Sequence, residues 1–176
     1  ELALKTLKEN KIDASTVVHA EDQQTGVAGI MVDQLTGKNA INVIVGAPNT
    51  LTIEEVNKNI DKIINSKVFL TQLEVPKNVI LHCLKAAKEN HVLTILNPAP
   101  AAKISDEFFK YIDYFTPNET EAEFYTGIKI NDENDAKKSA KKLINMGIKK
   151  VIITLGEKGL LYSDGEEEIH IKACPV

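Results

Sequence analysis

Hydrophobic residues recur at two different spacings along this chain, and the spacing changes near residue 46. Leucines stand among polar neighbours within residues 1–10, which predicts one short amphipathic helix. Between residues 12 and 46, short apolar runs alternate with turn-forming residues, a pattern typical of β-strands. The runs lie at 17–18, 27–32 and 40–45. With a hairpin turn predicted at 36–39, we expect residues 12–46 to form a small β-sheet that serves as a lid.

Strand-like and helix-like segments alternate from residue 50 onwards. Strands are predicted at 68–73, 91–96, 111–115 and 151–155, and a final hairpin turns at 163–165. Helices are predicted at 52–64, 76–90, from 105, at 116–126 and at 132–146. This alternation predicts an α/β fold, in which residues 50–176 form a doubly wound, mostly parallel sheet with helices on both faces.

Composition excludes several classes of protein. The chain has 176 residues, about one domain, and a net charge of −4, so it has no basic stripe for nucleic acid. It has two cysteines, too few for a disulfide framework, which fits a reducing, cytoplasmic setting. No apolar run is long enough to cross a membrane. We therefore expect no nucleic-acid partner and no membrane partner.

One acidic segment follows the predicted strand at 111–115. Thr116, Pro117 and Glu119 have the spacing of a helix start, with a capping box and a proline at the first helical position. Asn118 and Glu121 are three residues apart and would share one helix face. They could present an amide and a carboxylate to a magnesium–phosphate group, because hard cations prefer oxygen ligands. The alternative is that these acids only complement the positive helix terminus.

Other candidate residues also follow predicted strands, where α/β proteins place their ligands. Glu74 follows the strand at 68–73, and its carboxylate suits a pair of sugar hydroxyls; a plain surface acid is an equally good interpretation. The loop at 154–159 has two glycines that could let a nucleotide lie against the main chain, although it is no Walker motif. The prolines of 97–101 favour a rigid turn. The histidines show no metal-ligand spacing.

These segments, in this order, carry a resemblance to a known family. They are Thr25–Ala28, Gly46–Asn49, Gln72–Glu74, Asn97–Ala101, Thr116–Glu123 and Thr154–Gly159. The chain resembles the PfkB carbohydrate kinases, and the Gln-Leu-Glu and Asn-Pro-Ala-Pro-Ala segments resemble those of the ribokinase branch. The resemblance spans nearly all of the chain and implies that residues 1–176 are part of a ribokinase-like domain.

The resemblance implies a reaction and roles for particular residues. The reaction is transfer of the γ-phosphoryl group of ATP to the 5-hydroxyl of D-ribose, with Mg²⁺ and a monovalent cation such as K⁺ in the complete protein. Glu74 would bind the sugar hydroxyls, Asn118 would contact ATP, and Glu121 would hold magnesium through water. The residues implied to line the nucleotide are Thr154, Leu155, Gly156 and Gly159. Lid strands of this family pair between subunits, which implies a homodimer.

The chain also departs from the family pattern. The family's base is the last Asp of a Gly-Ala-Gly-Asp motif, and no such motif occurs in these 176 residues. We therefore assign no catalytic residue and expect the base beyond Val176, so that this chain alone is inactive. Two alternatives stay open. One is another PfkB kinase, such as a fructokinase or a nucleoside kinase, and the other is a non-catalytic sugar- or nucleotide-binding module.

Overall fold

The computed structural model describes residues 2–174. Glu1, where the first predicted helix begins, and Val176, beyond which the base is expected, lie outside the described residues, as does Pro175. The described residues form two compact units, one ending at Pro48 and one starting at Asn49. None of the helices formed by residues 2–174 has the length and apolar character that crossing a bilayer requires.

The first unit contains helix α1 (Leu2–Glu9) and an antiparallel pair of strands, β1 (Val27–Val32) and β2 (Asn39–Ile44). The predicted helix and hairpin are thereby confirmed. The Asp33 carboxylate stabilises the hairpin turn by accepting main-chain N–H groups. All residues of both strands are exposed. The strand predicted at 17–18 is wrong: the N–H of Val17 donates to the Ala14 carbonyl, and this turn leaves no extended run to pair.

The second unit is built on a six-stranded sheet in the order β3-β4-β5-β6-β7-β8. The strands are β3 (Val68–Thr71), β4 (Leu93–Leu96), β5 (Tyr114–Phe115), β6 (Lys150–Thr154), β7 (Leu160–Ser163) and β8 (Glu168–Ile171). Strands β3 to β6 pair in parallel, and β7 and β8 complete the sheet as the predicted antiparallel hairpin. The predicted α/β class, a mostly parallel sheet with helices plus a separate small sheet, is confirmed.

Two helices precede these strands and three connect them. They are α2 (Ile53–Asn57), α3 (Ile60–Ile64), α4 (Lys77–Glu89), α5 (Glu119–Thr126) and α6 (Glu133–Asn145), with 3-10 turns at Ala47–Thr50, Phe108–Tyr111 and Gly156–Lys158. The single helix predicted at 52–64 is wrong, because the chain breaks into α2 and α3 at Asn59, a residue type that favours caps and turns. Its predicted start is confirmed, since Thr52 and Glu55 form a capping box.

The core lies on one face of the sheet. Side chains on that face alternate with those on the other, and Leu96, Phe115 and Val151 are fully buried against residues of α4 and α6 such as Leu84 and Leu143. Residues of α4, α5 and α6 contribute to this core, and side chains on the other face of the sheet stay partly exposed.

Candidate functional site

The carboxyl ends of the four parallel strands meet at one edge of the sheet. Three main-chain hydrogen bonds continue the pairing past the strand ends: Asn97 N–H to Thr71 O (2.9 Å), Thr116 N–H to Leu96 O (3.0 Å) and Thr154 N–H to Pro117 O (2.9 Å). Neighbouring strands are about 4.8 Å apart. Glu74, the loop at 97–101, Asn118 and Thr154 therefore follow one another along this edge in strand order. This edge is the candidate site.

The start of α5 lies in the middle of the edge, and its cap is Asn118. Asn118 Oδ1 accepts the N–H of Glu121 (2.8 Å), and Glu121 Oε2 accepts the N–H of Asn118 (2.9 Å). The predicted cap at Thr116 with Glu119 is wrong, as is Pro117 as the first helical residue. Main-chain pairing with β4 and β6 keeps the chain extended through residue 117, so the helix begins two residues later than predicted.

The structure brings Asn118 and Glu121 together, although not as two side chains on one helix face. Each uses one side-chain oxygen to cap the other's N–H, and Glu121 is only 8% exposed. Among the described residues no buried polar side-chain atom lacks a partner, so the other oxygen of Glu121, Oε1, reaches the surface. One surface-facing carboxylate oxygen fits a magnesium ion held through water. Residues 2–174 contain no cluster of three or more metal-ligating side chains.

Tyr125, which sequence reasoning missed, ties α5 to the loop that follows β4. Its hydroxyl donates to the carbonyl of Ala102 (2.7 Å). Burial raises the pKa of Tyr125 to about 12, and the negative charge of Glu121 adds to that rise. The phenol therefore stays protonated and keeps donating to Ala102. A tyrosine in a helix gives no sign in the sequence of this contact, because its partner is 23 residues away.

Glu74 lies at the β3 end of the edge, where it was predicted. The Gln72 side chain makes two hydrogen bonds to Glu74, one to its side chain and one to its main chain. Gln72 Nε2 donates to Glu74 Oε2 (2.8 Å), and Gln72 Oε1 accepts the Glu74 N–H (2.9 Å). Leu73, between them, is buried and donates its N–H to the Ala99 carbonyl (2.9 Å). The exposed Glu74 carboxylate thus has a fixed direction. The strand itself ends at Thr71, so Glu74 belongs to the following loop.

The loop at 154–159 forms the β6 end of the edge, and its predicted residues differ in what they can offer a ligand. Thr154 is exposed and pairs by its main chain with Asn118. Leu155 is 4% exposed with its side chain in the core, so only its main chain could face a nucleotide. Gly156 has a φ of +56° and open space where a Cβ would be. At Gly159, with a φ of +97°, a Cβ would collide with the Ile171 carbonyl.

Cys83 takes no part in this edge. Burial raises the pKa of its thiol to about 11, so the reactive thiolate is scarce at neutral pH. The residue lies on the buried side of α4. Cys83 therefore packs as a small buried hydrophobic side chain.

Comparisons of sequence and of structure with known proteins identify the same family. The model of the pfkB family carbohydrate kinases matches residues 1–176. Ribokinase of Staphylococcus aureus is 40% identical over 173 residues, which is 98% of this chain and 57% of that protein. Two solved structures are similar. Ribokinase of Thermotoga maritima has a TM-score of 0.82 and 32% identity, covering 99% of this chain and 56% of that one. Arabidopsis thaliana ribokinase, complexed with ribose and ATP, has a TM-score of 0.75 and 27% identity, covering 90% and 53%.

The fold of the second unit, its row of strand ends and the sequence motifs at those ends all agree with these matches. The chain spans little more than half the length of each of these three ribokinases. The chain belongs to the pfkB family of carbohydrate kinases.

Proposed function

We propose that this chain supplies the sugar- and nucleotide-binding edge of an ATP-dependent kinase that phosphorylates D-ribose at its 5-hydroxyl. The observation that carries the proposal is the order of groups along the edge. A fixed carboxylate, Glu74, lies at one end, an open glycine loop lies at the other, and the Asn118–Glu121 cap lies between them. Similar proteins named ribokinase, one of them complexed with ribose and ATP, support this assignment.

At the sugar end, Glu74 would accept hydrogen bonds from neighbouring sugar hydroxyls. An ionised carboxylate only accepts, and its two oxygens suit two adjacent hydroxyl donors. Gln72 restricts the side chain before any sugar arrives, so less conformational entropy is lost on binding. Glu74 is thus the residue to which we assign recognition of the sugar.

At the nucleotide end, ATP would lie against the main chain of Leu155 and Gly156, where no side chain intrudes. Asn118 would contact the nucleotide, and Oε1 of Glu121 would hold Mg²⁺ through water. Phosphoryl transfer depends mainly on positioning and on electrostatic stabilisation. These residues would therefore orient the phosphates towards the sugar. We further propose that the complete protein uses a monovalent cation such as K⁺, and that its base lies outside residues 1–176.

Calorimetry with this chain tests the assignment. Ribose should bind more tightly than fructose or adenosine, and Glu74→Ala should lose at least about tenfold in ribose affinity, as expected for a lost charged acceptor. Glu166→Ala is the matched control, because that exposed glutamate lies in the β7–β8 turn. If fructose or adenosine bound more tightly than ribose, the proposed substrate would be wrong, and the chain would belong to a fructokinase or a nucleoside kinase. Turnover of ATP with ribose by this chain alone would contradict the expected absence of the base.

We also propose that residues 12–46 form the lid and that their strands pair with a second copy of the chain. The supporting observation is that every residue of β1 and β2, including Ile30 and Met31, is exposed in a two-stranded sheet with open edges. Light scattering should then give the mass of a dimer, and Met31→Glu should give a monomer. Leu35→Glu, in the exposed hairpin turn, is the control. A monomeric wild-type chain would contradict this proposal.

A further inference from the structure

Both ring nitrogens of His170, on β8, face hydrogen-bond acceptors. Nδ1 lies 3.2 Å from Oε2 of Glu133, and Nε2 lies 2.8 Å from the main-chain carbonyl oxygen of Lys158. A neutral imidazole has one N–H donor, whereas the protonated ring has two. Only the protonated ring can therefore donate to both partners at once.

The two partners belong to different parts of the fold. Lys158 lies in the 154–159 loop, and Glu133 is the first residue of α6. A second contact joins the same two parts, because the Lys158 ammonium group donates to the Asn131 carbonyl (3.0 Å). His170 thus connects the loop to the start of α6 and lies one residue before Ile171, whose carbonyl covers Gly159.

Charged side chains surround His170. Glu133 is held ionised, because Lys137 and then His170 lower its pKa. Lys137 binds the opposite oxygen of Glu133, Oε1, at 2.9 Å and so leaves Oε2 to the histidine. Glu168, on the same strand as His170, lies 3.9 Å from Lys137. The ammonium group of Lys158 is directed to Asn131.

We propose that His170 is a positioning residue for the nucleotide loop. When protonated, it holds the Lys158 carbonyl and Glu133 together and keeps the loop in the conformation that leaves Gly156 open. When the ring loses its proton, one of the two hydrogen bonds is lost and the loop is held by fewer contacts. The inference rests on the proposed nucleotide role of this loop.

The sign of the pH dependence follows directly. Histidine is the side chain that ordinarily changes charge between about pH 5 and pH 8. The loop should be held fully at the acidic end of this range and less well as the pH rises. Nucleotide affinity should fall in the same direction, by about twofold to fivefold, as expected for one partly exposed charged contact.

NMR on the whole chain tests the coupling without any ligand. The His170 ring signals and the main-chain amide signals of Lys158 and Gly159 are followed from about pH 5 to about pH 8, the range in which histidine ordinarily changes charge. We expect the loop amides to change with the same midpoint as the ring. His170→Gln, which keeps a donating NH2 group and cannot titrate, should abolish that change. His82→Gln should leave it intact, because His82 contacts Asn57 on α2 and not the loop or α6 among the described residues.

ATP titrations at the two ends of that pH range complete the test. Affinity should be higher at the acidic end in the wild type and in His82→Gln, and independent of pH in His170→Gln. If the main-chain amide signals of the loop do not change with the His170 ring signals, the positioning role is overturned, whether or not ATP affinity depends on pH. Absence of ATP binding at both pH values, with loop amides that follow His170, would instead overturn the proposed nucleotide site and leave the coupling established.

Discussion

The two ends of the candidate edge are held in place in different ways. Glu74 is fixed by Gln72, two residues away, through a pair of local hydrogen bonds. The 154–159 loop is fixed by residues distant in sequence, among them His170 on β8 and Asn131 before α6. The direction of the Glu74 side chain therefore depends on a short segment of sequence, whereas the 154–159 loop depends both on its own local hydrogen bonds and on contacts that form only when β8 and α6 have assembled.

The largest effect is expected at the loop end, where Gly159→Ala should destabilise the chain by about 3 kcal/mol or more, through a positive φ combined with backbone overlap. An added Cβ would meet the Ile171 carbonyl and the Ala173 nitrogen. Gly156→Ala is the matched control and should cost only about 1 kcal/mol, since its φ is positive but its surroundings are open. Denaturant unfolding measures both. If both variants lost the same free energy of unfolding, the close approach of the chain after β8 to Gly159 would not be what holds the loop at 154–159 in place.

Between the two ends, the Asn118–Glu121 cap should contribute about 1 kcal/mol, the usual value of a capping interaction. Glu121→Ala should lose the half of this cap in which the Glu121 side chain accepts the Asn118 N–H, whereas Glu121→Gln should retain it, because glutamine can also accept that N–H. The same Gln variant removes the charge assigned to magnesium. Unchanged magnesium-dependent ATP binding in Glu121→Gln, measured by calorimetry, would count against that assignment.

At the opposite edge of the sheet, Asp113 should contribute stability that depends on pH. Burial opposes its ionisation, but hydrogen bonds from Lys88, Thr94 and Lys149 outweigh burial and lower its pKa from 3.8 to about 2. Its contribution is therefore present above about pH 4 and is lost as the pH falls towards 2; we expect about 1 kcal/mol, after allowance for solvent screening. Denaturant unfolding at several pH values measures this. Asp113→Asn should remove the loss of unfolding free energy between about pH 4 and about pH 2, and Asp106→Asn, at an exposed position, should not.

Sequence alone predicted the features that depend on local patterns. The alternation of strands and helices, the cap at Thr52 and the position of Glu74 all follow from residues close together in the chain. The start of α5 was predicted two residues too early. Main-chain hydrogen bonds to β4 and β6, which come from distant parts of the chain, keep residues 116–117 extended, and Asn118 caps the helix instead of Thr116.

The same reason explains what was missed at the nucleotide end. His170 has no neighbouring motif, and its two contacts come from a loop and a helix that precede it by 12 and 37 residues (170 − 158 and 170 − 133). The break at Asn59 is a local feature, but the helix-forming pattern on either side concealed it. Periodicity shows which face of an element is buried, not which distant residue will contact it.

NMR mapping of both ligands on the whole chain tests the central proposal most directly. Ribose should shift the main-chain signals of Gln72 to Glu74, ATP with magnesium should shift those of Leu155 and Gly156, and both should affect Asn118. The account would be contradicted if ribose and ATP shifted the signals of the same end of the edge, or if neither ligand shifted the signals of either end. Either result would rule out the division of this edge into a sugar end and a nucleotide end.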